Sequence, residues 1–99
     1  MSRPRKCRRV SQEPGVTYFK PAGVPLRELE EQEISVDELE TLKFVDYQGM
    51  EQIEASKKMK ISQPTLHRLL ISARRKTAEA LVNGYAIKIH GGDYYILKK

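Results

Sequence analysis

A single cysteine, Cys7, excludes an internal disulfide, so the fold must rest on packing. The only two histidines, His67 and His90, stand far apart in the chain, so a metal site built by one copy is not expected. Long apolar runs are missing too: none approaches the ~20 residues of a membrane span. The basic N-terminus lacks the apolar centre of a signal peptide. The expectation is a cytoplasmic protein without membrane contact. Common enzyme apparatus is also absent from the sequence. No phosphate-cradling glycine loop precedes a helix, and there is no HExxH, CxxC or nucleophile elbow. The paired acids Glu30–Glu31 and Glu38–Glu40 lie in a stretch that reads as a solvated acidic face rather than acid–base machinery. No catalytic residue, metal or cofactor is expected.

What is present is a modest, charged domain. Ninety-nine residues suffice for one core, and 39% apolar with 31% charged content suits a helical protein. The net charge of +5 is unevenly spread. Residues 1–20 hold six cations against one acid, residues 25–46 two against eight, and residues 47–83 seven against three. A molecule basic on one side and acidic elsewhere suits a polyanionic partner.

The organising stretch runs from Glu51 to Lys76. Its pattern predicts a helix, a tight turn at Met59-Lys60-Ile61 and a second helix, 63–83. Ser62 is placed to cap the second helix, and Pro64 falls in its first turn, where a missing N–H costs nothing. Leu66, Leu69, Leu70 and Ala73 form an apolar stripe that continues through Thr77, Ala80 and Leu81. Gln63, Thr65, His67, Arg68, Ser72 and Arg75 face the other way. Ile53, Ser56 and Met59 line the first helix, with a small residue where two helices cross. Glycine usually occupies the left-handed position of such a turn; here it is Lys60, at a cost of about 1 kcal/mol.

The flanking segments support this unit. Residues 1–15 are too polar and proline-broken to fold alone, and read as a flexible basic arm. Residues 16–24 read as an extended stretch on the core, followed by a short helix from Pro25 to Glu31 with Leu26 and Leu29 inward. Ser35-Val36-Asp37-Glu38 fits a capping box. The helix it starts turns Val36, Leu39, Leu42 and Val45 or Phe44 inward and ends at Gln48-Gly49. After Asn83-Gly84 the period changes. Tyr85, Ile87 and Ile89 alternate with Ala86, Lys88 and His90, Gly91-Gly92 follows, and Tyr94 and Ile96 resume; this reads as a β-hairpin over 85–99, packed on the helices or on a partner chain. The expected divisions are thus an arm (1–15), a helical domain (16–84) and the hairpin.

A helix so placed enters the major groove by its N-terminal turns. Gln63 suits adenine, Arg68 guanine, and Thr65 and His67 complete the base-facing set. Ser62, Lys57, Lys58, Lys60, Ser72 and Arg75 would hold phosphates, as would Arg3, Arg5, Lys6, Arg8 and Arg9 of the arm.

The runs PRKCRRV, TYFKPAGVPLRELEE, VDELE and SARRKTAEALVNGYAIKIHGGDY together resemble the UPF0251 (DUF134) family of small prokaryotic proteins, over nearly the whole chain. The resemblance implies a helix-turn-helix similar to region 4 of bacterial sigma factors, in a three-helix core, and a role in transcription. Sigma-like helices often begin with arginine or glutamate where Gln63 and Pro64 stand here. The expected fold is therefore mainly α: a sigma region 4-like helix-turn-helix core with a C-terminal β-hairpin and a basic arm. The expected function is sequence-selective binding of double-stranded DNA by a transcriptional regulator, and a homodimer on paired half-sites is compatible with it. Two rivals stand beside it: an interaction module engaging RNA polymerase or another regulator through the acidic segment, and an RNA-binding protein using the arm.

Overall fold

Ser35 opens the helical part of the molecule. In the computed structural model, which describes residues 8–10, 17–92 and 94–96, its hydroxyl accepts from the Glu38 amide at 3.2 Å. The Glu38 carboxylate accepts in return from the Ser35 amide at 2.9 Å. This reciprocal box satisfies donors that a first turn leaves open, and α1 (Val36–Thr41) follows. The chain then widens into a π-helical segment, Leu42–Tyr47, and leaves it at Gly49 with φ of 72°. A π turn takes more residues than an α turn and so shifts the inward stripe. Phe44 becomes the buried residue, while Leu39, Leu42 and Val45 are half-buried.

Helix α2 (Gln52–Met59) and helix α3 (Gln63–Asn83) come next. Lys60, between them, has φ 56° and ψ 48°, the left-handed conformation expected of it. Ser62 caps α3, its hydroxyl accepting from the Thr65 amide at 3.3 Å. Ser56 is buried where α2 meets α3, as a close crossing requires, and Ala55 and Met59 are buried with it. Ile53, expected inward, is instead exposed. Phe44, Ala55, Met59 and Leu66 form one core cluster, with Val45, Met50, Ile61 and Leu69 packed around it. Leu70, Ala73 and Ala80 continue the buried stripe of α3, but Leu81 leaves it at 74% exposed.

The strands depart furthest from expectation. Five short strands are described: β1 (Arg8–Val10), β2 (Tyr18–Phe19), β3 (Glu31–Ile34), β4 (Ala86–Ile89) and β5 (Tyr94–Ile96). Strand β4 lies between β2, to which it is antiparallel, and β3, to which it is parallel. Strand β5 pairs with β1 in parallel. The two C-terminal strands therefore exist but do not pair with each other, and the expected hairpin is not formed. Gly91-Gly92 serves another purpose. The Gly91 carbonyl accepts from the Val36 amide at 2.9 Å, at the start of α1. Gly92, at φ 100°, passes so near that a Cβ would fall 2.8 Å from Ser35 Cβ and would overlap Asp37 Oδ1.

Three further expectations are revised. Arg8–Val10, assigned to a flexible arm, is strand, and Val10 is 1% exposed in a second core cluster with Ile34, Val36 and Ile89. The helix expected from Pro25 is a single 3-10 turn, Leu26–Glu28, with Leu26 and Leu29 only half-buried. Strand β3 was not foreseen, because glutamates are poor strand formers. Yet its burial alternates with period two: Glu31 and Glu33 are exposed, Gln32 is half-buried and Ile34 is buried. Charges on an outer strand also discourage edge-to-edge association. Among the described residues the architecture is thus three α-helices with a small mixed sheet and a separate β1–β5 pair, and no helix is long and apolar enough to cross a membrane.

The Gly92 contact yields a stability test. Gly92→Ala should destabilise by about 1–3 kcal/mol, combining steric overlap with an unfavourable φ. Gly23→Ala, also at positive φ but with nothing within 4 Å, should cost less. Urea unfolding should show a lower midpoint with an unchanged slope.

Candidate nucleic-acid interface

The exposed side of α3 is defined by what holds its other sides. With ~100° between neighbours on a helix, Leu66, Leu70, Ala73 and Ala80 point to the core, and all four are buried. On one flank, Arg74 reaches across to Asp46 of the π segment in a two-pronged ion pair, at 3.0 Å from Nε and 2.6 Å from the terminal nitrogen. Arg74 holds the Asp46 carboxyl below the usual carboxylate range. On the other flank, the Ser72 hydroxyl donates to Glu38 Oε2, and Lys76 Nζ lies 3.0 Å from Glu38 Oε1. Both flanks of the helix are therefore tied to the α1–π segment.

Glu38 is the centre of this arrangement. It is 4% exposed. Burial alone would push its carboxyl up, but the Ser72 hydroxyl, the Ser35 amide, the Lys76 ammonium and the Ser35 hydroxyl together hold it below the ordinary glutamate value. Asp37 and Glu40 are buried as well. The acidic stretch is thus not a solvated face at Asp37, Glu38 and Glu40. Among them, Glu38 ties α1 to α3.

Of the residues expected to face DNA, Gln63, His67, Arg68 and Arg75 are exposed on α3, and Lys57, Lys58, Lys60 and Ser62 are exposed around its N-terminal end. His67 Nδ1 lies 3.3 Å from Gln52 Oε1, linking the second turn of α3 to the start of α2. Thr65 is half-buried; its hydroxyl lies 2.9 Å from Ser62 Oγ and accepts from Arg68 at 3.4 Å. The threonine therefore steadies the cap and the arginine. Ser72, expected at a phosphate, is instead drawn inward by Glu38. Arg9 is also redirected: its Nε donates to the Lys58 carbonyl at 2.7 Å, near the C-terminal end of α2, where a cation suits the helix dipole. Arg3, Arg5, Lys6 and the side chain of Arg8 lie outside what the structure describes.

Two features were missed by sequence reading. A groove along the outer side of α3 is lined by Gln32, Arg68, Ile71, Ser72, Arg75 and Lys76 with Glu79. Its strand side is fixed by a hydrogen bond from the Gln32 amide to Glu79. Gln32 could not be placed there without knowing that β3 lies beside α3. Ile71 did carry a signal, since it falls outside the apolar stripe. Among the described residues no cluster of His, Cys, Asp and Glu could hold a metal ion.

Fold and site together define a small, mainly helical protein with a mixed sheet, whose longest helix offers a cationic outer face. The chain belongs to the family described as "Protein of unknown function DUF134", which it matches over residues 1–97. It is 52% identical over 98 residues to a UPF0251 protein of Pelotomaculum thermopropionicum, covering 99% of this chain and 74% of that one. It is 55% identical over 97 residues to one from Moorella thermoacetica, covering 98% and 65%. With one from Thermoanaerobacter pseudethanolicus the identity is 51% over 96 residues, covering 97% and 81%. The chain thus spans about two thirds of the Moorella protein's length and somewhat more of the other two. No solved structure matches it.

Two outcomes follow from this geometry. Lys60→Gly relieves left-handed strain and should raise stability by about 1 kcal/mol; a thermal or urea melt reads it directly. Glu38 has a lower pKa folded than unfolded. Its contribution is therefore full above the unfolded value, about 4.3, and is lost as pH falls through the folded value below that. Stability should drop across this acidic window in the wild type and much less in Glu38→Gln, which should be less stable at neutral pH by about 2–3 kcal/mol.

Proposed function

We propose that this protein binds double-stranded DNA with sequence preference, through α3 in the major groove, and that it acts as a transcriptional regulator by binding rather than catalysis. In this reading α2, the Lys60 turn and α3 work as a helix-turn-helix of the sigma region 4 type. The observation that carries it is the division of α3. Its apolar arc is buried, both flanks are tied to Glu38 and Asp46, and the remaining arc shows Gln63, His67, Arg68 and Arg75 to solvent. Lys57, Lys58 and Lys60 stand at the end of α3 that would enter first. A cationic rim beside a protruding helix end with amide and guanidinium groups is suited to phosphates and base edges respectively.

Particular residues bear on the two rivals. An interaction module working through the acidic segment keeps Glu28, Glu30, Glu31 and Glu33 outside but not Asp37, Glu38 and Glu40, which are buried. An RNA reader using the arm would work through its cations, of which Arg9 has a described side chain. Val10 is in the core, and Arg9 is bonded to α2.

Selection from a random duplex pool at two salt concentrations should return a preferred sequence with salt-sensitive affinity. Arg68→Ala should lower affinity for that sequence about 5- to 150-fold, corresponding to ~1–3 kcal/mol of base discrimination, and leave unrelated DNA nearly unaffected. Lys57→Ala with Lys58→Ala should weaken all duplexes alike and flatten the salt dependence. A pool returning no preference, or an Arg68→Ala protein selecting the wild-type sequence equally well, would overturn the groove assignment.

A further inference from the structure

We propose that Ile71 is a specificity-determining residue, which reads the C5-methyl group of a pyrimidine in the major groove. The inference rests on the DNA-binding reading of α3 and adds to it an apolar contact.

Helix α3 leaves three large apolar side chains to solvent: Leu81 and Val82 near its C-terminal end, and Ile71 in its arginine-flanked middle. The core side of α3 carries Leu66, Leu70, Ala73 and Ala80, all buried, whereas Ile71 is 50% exposed. At ~100° per residue its direction falls between those of His67 and Arg68, one turn further along and nearly opposite Ala73. It therefore stands in the middle of the outward arc, roughly 12 Å along the axis from Gln63. Arg68 precedes it by three residues and Arg75 follows by four, so two exposed guanidinium groups bracket it on the same face.

The groove around Ile71 narrows the choice of partner. Its polar wall is already committed inside the protein: Gln32 to Glu79, and Ser72 and Lys76 to Glu38. What it still offers is an isoleucine between two arginines. The arginines suit phosphates or guanine edges. The isoleucine suits an apolar group lying among polar ones. On the major-groove edges of the four base pairs the C5-methyl of thymine is that group, and 5-methylcytosine presents the same methyl. A β-branched side chain on a helix has one strongly preferred χ1 rotamer, so the contact point is largely fixed in direction before binding. A methyl reader needs that fixity, since a displacement of an ångström or two would lose van der Waals contact.

The test uses the full chain and its selected duplex, with each thymine replaced in turn by deoxyuridine, which deletes only the methyl. At one thymine the wild type should lose about three- to tenfold in affinity. Ile71→Ala should bind the thymine duplex as weakly as the wild type binds the deoxyuridine one, and should not distinguish the two; Ile71→Val should retain part of the discrimination. A second set of duplexes carries cytosine or 5-methylcytosine at each selected cytosine. Discrimination there in place of the thymine series would assign the same contact to a methylated cytosine. Far-ultraviolet circular dichroism and a urea midpoint establish that both variants fold as the wild type does. An unchanged thymine-to-deoxyuridine ratio in Ile71→Ala overturns this proposal while leaving the DNA-binding reading intact. The same ratio together with loss of a dimer in sedimentation would mark Ile71 as a contact between copies and overturn it too. A wild type that binds no duplex overturns both.

Discussion

The arrangement of this molecule depends on one buried carboxylate. Glu38 closes the capping box at the start of α1 and, with the same two oxygens, receives Ser72 and Lys76 from the middle of α3. Removing a carboxylate from water is costly, and it is tolerated only where hydrogen bonds and an opposite charge replace the lost solvent. Two serines, a backbone amide and an ammonium do so here, in the first turn of a helix whose dipole favours negative charge. A group with so many partners has few acceptable positions. It therefore sets how α3 lies across α1, and through that which arc of α3 meets solvent.

That constraint resolves the basic triplet Arg74-Arg75-Lys76. Three consecutive cations cannot share a helix face. In the folded chain Arg74 belongs to Asp46, Lys76 to Glu38, and Arg75 is left on the outer arc beside Arg68. Two of the three cations thus hold the helix in place, and the third stays exposed. The same division separates Ser72, which turns inward, from Ile71, which turns outward.

The sheet shows how local pattern can mislead. Alternating apolar residues on both sides of Gly91-Gly92 have the form of a hairpin, and both strands are present. A strand's partner, however, is chosen by whatever edge offers matching hydrogen bonds. Strand β4 is taken by β2 and by β3, while β5 is taken by β1. The parallel β3–β4 pair needs a long crossover, which α1, α2 and α3 supply between them. The glycines then answer a tertiary demand, since only a residue without Cβ can pass so close to Ser35 and Asp37.

Much of the helical unit could be read directly from residues. The capping box, the left-handed Lys60, the serine cap of α3, the glycine ends and most of the buried stripe are matters of neighbours three or four positions apart, and local geometry governs them. Strand partners, the burial of Val10 and of Glu38, and the loss of Ser72 and Arg9 from the outer surface were decided only by tertiary structure. Each joins groups more than thirty positions apart, or depends on one that does. A single sequence carries little trace of such pairings, because the free energy favouring them arises only when the distant surfaces meet.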